Sequence, residues 1–259
     1  MKSDFELIQR KIGGNEDVHI YPVFDVHYKT AGYLEKEFES YLARIADDKN
    51  GYIVIGGDLL NNATKQSVSN CFDDLRPREA KRRISEMLFP YRDKILAAIP
   101  GNHERRNKDV DDCPIYDIMC KLDLEELYRE NAAFIKLRIG NPLGDGQKNP
   151  TYVIGAVHGD GGGSMTGSAV NKNERFGANF SGLDLLLVGH SHKPFITSPC
   201  RIVIDPHNNK ISMKSYKVVC ATSWLNYGGY ALQKMLTPSS NAPQLITLCG
   251  NHKEVIAQM

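Results

Sequence analysis

The strongest constraint on what this chain can fold into is a local pattern that recurs along it. A short apolar run stops at a turn and leaves a metal-binding or acid–base side chain at its tip. His19-Ile20-Tyr21-Pro22-Val23-Phe24 runs into Asp25-Val26-His27, and Tyr52-Ile53-Val54-Ile55 runs into Gly56-Gly57-Asp58. Residues 95–99 stop at Pro100-Gly101-Asn102-His103-Glu104, 152–157 at His158-Gly159-Asp160, and 183–188 at Gly189-His190-Ser191-His192. Runs apolar on both faces suit strands buried between other layers. In open α/β sheets the carboxyl ends of such strands share one crevice.

Each tip taken singly has a plain reading, since Pro-Gly-Asn and Gly-Gly-Asp are ordinary turn chemistry. The weight lies in their recurrence, in order, each at a strand end. Gathered in one pocket, these tips supply more donors than a single tetrahedral zinc needs. They suit two cations about 3.5–4 Å apart, an arrangement used for in-line displacement at phosphorus.

Between these runs the chain reads as alternating helices and strands. Residues 4–13 suggest a short leading helix ending at Gly13-Gly14. Leu34, Phe38, Tyr41, Leu42 and Ile45 form one apolar helical stripe. Residues 63–92 read as helical and polar, with a basic cluster (Arg76, Arg78, Lys81, Arg82, Arg83, Arg92, Lys94) that fits a solvated helix face. Ile115, Ile118, Met119, Leu122 and Leu127 suggest a further amphipathic helix after Pro114, and residues 134–139 and 152–157 read as paired strands. Past His192, the segments 202–204, 215–221, 231–235, 245–248 and 254–257 look like short antiparallel strands. No repeat or linker interrupts the chain. The expectation is one domain over 1–259: a leading segment 1–18, a motif-bearing core 19–192, and strands within 193–259 that complete a second sheet.

At 259 residues the chain can bury a large core, and its net charge of +1 neither demands nor excludes a polyanionic partner. Its six cysteines are dispersed without a CxxC pair, which fits reduced thiols. The start lacks the apolar core of a signal peptide and no run reaches membrane-spanning length. A cytoplasmic protein without a membrane partner is the expectation.

The ordered set Asp25-Val26-His27, Gly57-Asp58-Leu59-Leu60-Asn61, Gly101-Asn102-His103-Glu104, His158 and Gly189-His190-Ser191-His192 resembles the calcineurin-like metallophosphoesterase superfamily over residues 25–192. The resemblance, closest to compact bacterial and phage-type members, implies a four-layer α/β/β/α sandwich in which two packed mixed sheets are flanked by helices. It also implies two divalent metal ions, with manganese favoured and iron, zinc, nickel or magnesium compatible. By position, Asp25, His27 and His192 hold one ion and Asn102, His158 and His190 the other, with Asp58 bridging them. The family attacks phosphorus with a metal-bridging hydroxide. On this resemblance His103 is the catalytic side chain that faces the scissile phosphate, and Asn61 positions it.

Members that act on phosphoproteins carry Asp-Arg-Gly where this chain has Asn61-Asn62-Ala63. That departure favours a phosphodiesterase, cleaving a nucleotide or a nucleic acid as a nuclease does, over a phosphomonoesterase. A catalytically silent binding module on the same fold is the remaining alternative. Arg105, Arg106 and the glycine-rich loop, with Gly161 and Gly162, are candidates to grip substrate phosphate. Trp224 and the segment 226–230 could stack a base but read at least as well as core or loop packing, whereas His19 and His252 lack ligand context and His207 falls in a hairpin turn.

Overall fold

The computed structural model describes residues 3–64, 75–106, 112–141, 149–161, 165–233 and 235–259. Two mixed sheets dominate it, as the α/β class expected from the sequence requires. One has five strands in the order β13-β12-β2-β3-β4 and the other six in the order β1-β5-β6-β7-β11-β8. In the first, β2 (Val18–Val23), β3 (Gly51–Ile55) and β4 (Ile95–Ala98) run parallel. Every residue of β4 is buried, and so is nearly all of β2 and β3. Pro22 is accommodated because β12 (Leu245–Leu248) pairs only with residues 18–20 of β2. Its missing N–H leaves no bond of that ladder unmade.

In the second sheet, β5 (Ala132–Ile139) and β6 (Thr151–Val157) pair antiparallel as expected, and β7 (Leu185–Val188) lies parallel to β6. Side chains of both sheets, among them Ile53, Leu96, Ile135 and Ile154, join one buried apolar cluster.

The helices flank the sheets. On α1 (Glu35–Asp47) the stripe Phe38, Tyr41, Leu42 and Ile45 is buried, with Leu34 serving as its N-cap residue. α2 (Pro77–Leu88) packs against α3 (Pro114–Lys121), whose buried face is Ile115, Ile118 and Met119. Leu127 lies beyond α3 in a separate 3-10 turn, Glu125–Leu127. Of the stretch expected to be helical over 63–92, residues 65–74 lie outside the described residues. α4 (Thr166–Gly177) lies against β8 (Phe195–Thr197) and β11 (Lys217–Cys220), where Leu186, Val188 and Val218 form a second apolar cluster.

Three expectations are corrected. Residues 4–13 are not helical; β1 (Ile8–Ile12) pairs parallel with β5 and buries alternate residues, so sheet pairing overrides a weak local signal. The run 231–235 belongs in part to a short helix, α5 (Gly229–Gln233), with Leu232 63% exposed. Its Ala-Leu-Gln composition favours helix. β11 is not purely antiparallel, because it lies between parallel β7 and antiparallel β8.

The segment 193–259 serves both sheets: β8 and β11 extend the six-stranded one, and β12 and β13 (Val255–Gln258) the five-stranded one. β9 (Cys200–Asp205) and β10 (Lys210–Ser215) form a separate ribbon. Trp224 is 2% exposed and packs against Phe38 and Tyr41, so it is core.

Candidate metal centre and cleft

The ligand-bearing loops leave both sheets at the carboxyl ends of their strands. Asp25 and His27 follow β2, Asp58 follows β3, and Asn102 and His103 follow β4; His158 follows β6, and His190 and His192 follow β7. Pairing continues past the strand ends and zips these loops together. The Asp25 and His27 N–H groups donate to the Gly57 and Asp58 carbonyls, both at 3.0 Å. Bonds at the site also cross between the sheets: His158 Nδ1–H donates to the Gly56 carbonyl (2.8 Å), and His190 N–H to Asp25 Oδ2 (2.9 Å).

Glycine is required where the loops touch. A Cβ on Gly57, at φ +90°, would lie 2.1 Å from Gly101 N, and one on Gly101 would lie 2.0 Å from Asp58 Oδ1. Glu104, fully buried, completes the junction. Its carboxylate accepts the N–H groups of Asp58 (2.8 Å), Leu60 (3.1 Å) and Gly101 (2.8 Å). Burial first, then the neighbouring Asp58 charge, pushes Glu104 up to about 7 against the pull of those donors.

The side chains that these loops carry converge. Asp25, His27 and His192 form one group of ligand atoms within 4.8 Å of one another, and Asp58, His158 and His190 form another. Asn102 Oδ1 faces His190 Nδ1 at 2.7 Å and His158 Nε2 at 3.0 Å, which places the amide with the second group. The Nδ1–H bond to Gly56 fixes the His158 tautomer and turns Nε2 into the site, as supporting bonds do for metal-bound imidazoles. His103 also stands within reach of His27 and Asp58.

Two observations show that the donor set fits cations. Asp25 Oδ1 is buried without a hydrogen-bond partner, with His192 Nε2 3.5 Å away. The Nε2 atoms of His27 and His192 face each other at 3.3 Å, an arrangement that a shared electrophile relieves. Burial holds His27 down at about 3, and burial also lowers His103 and His190, leaving neutral rings able to ligate. Burial opposes charge at His158 too, but its bond to Asp58 outweighs this and raises it to about 9. The carboxylates thus draw protons to the place where divalent ions would compete with them.

His103 is held from both sides. Its Nδ1–H donates to the main-chain carbonyl of Asn61 (2.8 Å), and Arg106 Nη2 donates to its Nε2 at 3.2 Å. Asn61 therefore meets His103 through its backbone. Arg106 also bonds the same carbonyl, and Asn62 Nδ2 donates to the His103 carbonyl (3.1 Å). A cleft of about 1060 Å³ opens over His27, Asp58 and His103 and continues along residues 223–229 and 236–241.

Of the expected substrate contacts, Arg106 lines this cleft. Arg105 instead donates to the Glu130 carbonyl, and Gly161, beside Lys172 Nζ, is not among the residues that line the cleft. Gly162 lies outside the described residues. Asn226 and Tyr227 line the cleft's continuation. Neither Glu104 nor Lys193, a further cleft residue, had a role legible from the residues alone; only the acidic position closing Gly101-Asn102-His103-Glu104 hinted at the former.

Residues 17–194 match the family of calcineurin-like phosphoesterases, and the chain belongs to that family. The family uses divalent metals, and the clustered His and Asp side chains are in keeping with that. No curated protein matches the chain. Among solved structures it is similar to a conserved uncharacterized protein of Streptococcus pneumoniae TIGR4 described as a predicted phosphoesterase. The identity is 12%, the match covers 93% of this chain and 98% of that one, and the TM-score is 0.35. It is also similar to a metallophosphoesterase from Sphaerobacter thermophilus, at 14% identity, covering 89% of this chain and 83% of that one, with a TM-score of 0.38.

Proposed function

We propose that the chain is a dinuclear metal-dependent phosphodiesterase acting on a nucleotide or nucleic-acid phosphodiester. The observation that carries this reading is the convergence of Asp25, His27 and His192 beside Asp58, His158, His190 and Asn102 at one end of both sheets. Asp25, His27 and His192 would hold one ion, Asn102, His158 and His190 the second, and Asp58 both. Two divalent cations there, manganese first among those considered, supply Lewis acidity towards phosphoryl oxygen and lower the pKa of water towards neutrality.

The chain's own residues do the rest. His103 keeps one proton on Nδ1, bound to Asn61, and presents Nε2 to the cleft. Once substrate phosphoryl oxygens draw the Arg106 guanidinium off Nε2, that nitrogen is free to hold a proton and deliver it to the departing oxygen. Arg106, beside Nε2, provides the cationic contact to phosphoryl oxygens that the Asn61-Asn62-Ala63 sequence omits. Asn62 braces the His103 carbonyl instead. The cleft volume, about 1060 Å³, leaves room for substituents on both sides of a phosphodiester.

The test is a matched assay. Protein loaded with manganese should hydrolyse bis(p-nitrophenyl) phosphate with a kcat/KM above that for p-nitrophenyl phosphate, and Asp58→Asn should abolish both activities with the fold intact. Turnover of the monoester alone would overturn the diester reading. Stoichiometric metal binding with no turnover of either ester would favour a binding module.

A further inference from the structure

We infer that the arm of the cleft running along residues 223–229 and 236–241 is a seat for a second phosphate of the substrate, with the Lys193 ammonium as its principal ligand. The inference deepens the phosphodiesterase reading and rests on it. Lys193 directly follows His192, lines the cleft, and is 6% exposed. Its Nζ donates to Thr237 Oγ1 at 2.6 Å and to the Thr237 carbonyl at 3.4 Å. Among the described residues no carboxylate pairs with it; the nearby bonds are to neutral oxygens of one residue. Lysine is rarely buried without an anion, because an ammonium taken out of water recovers only part of its hydration from neutral acceptors.

The rest of the cleft has the same bias. Among the described residues of its walls, Asp58 is the one acidic side chain, and that carboxylate belongs to the metal centre. The other charged side chains among them are Arg106, beside His103, and Lys193. The far wall adds neutral polar groups such as Ser223, Asn226, Ser239 and Asn241. The excess is local, because the whole chain carries a net charge of only +1. A phosphodiester brings one negative charge to the metal centre, so a buried cation further along is matched by a second anionic group on the same molecule. Phosphate is that group in nucleotide chemistry. It arrives either one nucleoside away along a nucleic-acid strand or directly attached in a pyrophosphate.

The experiment uses the full-length protein. Thymidine 3′,5′-bisphosphate and thymidine 5′-monophosphate are titrated by calorimetry, with and without manganese, into wild type, Lys193→Gln and Lys193→Met, with melting temperatures measured alongside. Wild type should bind the bisphosphate at least about ten-fold more tightly than the monophosphate, as one charge-assisted contact provides. Both variants should lose that advantage. The wild-type comparison needs no variant to fold: no advantage there, together with no turnover preference for either doubly phosphorylated ester described below, overturns the proposal outright. Retention of the advantage in a folded Lys193 variant overturns it equally.

A turnover arm with manganese separates the two sources. It compares the p-nitrophenyl ester of thymidine 5′-phosphate, its 3′-phosphorylated form, and the p-nitrophenyl ester of thymidine 5′-diphosphate. Preference for the second, lost on Lys193→Met, supports nucleic-acid spacing, and preference for the third supports a pyrophosphate. Tight bisphosphate binding through Lys193 with no turnover of any ester supports the anion seat and overturns the hydrolase reading beneath it.

Discussion

Asp25, His27, Asp58, His190 and His192 all have φ between +46° and +66°. The left-handed region disfavours such side chains, at a cost on the order of 1 kcal/mol each. Strain concentrated on these residues marks a backbone shaped to aim side chains. His103 tests how roles divide among neighbours, since Asn102 points its amide at His158 and His190 while His103 turns towards Asn61 and Arg106. His103→Ala should keep both metals and the melting temperature. It should slow a diester with a poor leaving group by roughly 10²–10⁴-fold, and one with a nitrophenolate leaving group by less. Loss of metal from that variant would make His103 a ligand, and equal losses for both esters would make its role electrostatic. Because Asn61 contacts His103 through its carbonyl, Asn61→Ala should cost far less than His103→Ala. The strand-tip residues were legible because their chemistry is written in short spacings. Lys193 was not, because its partner Thr237 is more than forty residues away, and Glu104 was not, because beside nearby Gly101 it serves Asp58 and Leu60, which are equally remote.

Among the elements, the strands entering the site were readable from unbroken apolar runs, and α1 from its stripe. β1 and α5 were misread because each is short: β1 takes its form from pairing with β5, and five residues of α5 are too few to display a helical stripe. Asp48, at the end of α1, is a joint that the sequence also left silent. Its carboxylate accepts from Tyr21 Oη (2.7 Å) and His19 Nδ1 (2.6 Å) on β2 and from Asn50 N–H (3.0 Å) ahead of β3. Burial raises the Asp48 carboxyl, but the bonds from Tyr21 and His19 outweigh it and hold it below its ordinary value. A depressed folded-state value stabilises the fold above the unfolded pKa, about 3.9, and is lost as pH falls through the lower folded one. Asp48→Asn should therefore lower the melting temperature at pH 6–7 and narrow the gap to wild type as pH drops below about 4. A constant gap down to pH 2.5, read by thermal denaturation, would show that the carboxylate's charge contributes nothing.

For the whole molecule, the two sheets share one apolar cluster and send their carboxyl ends to the same edge. His158 and Asp25 each bond across from one sheet to the other, so the metal centre is also a seam between the sheets. No helix among the described residues is long and apolar enough to cross a membrane. The most direct measurement is an anomalous-difference map from crystals loaded with manganese. It should show two peaks, one against Asp25, His27 and His192 and one against Asn102, His158 and His190, both within coordination distance of Asp58. A single isolated peak, or two peaks with the Asp58 carboxylate unliganded, would contradict the dinuclear centre and the chemistry drawn from it.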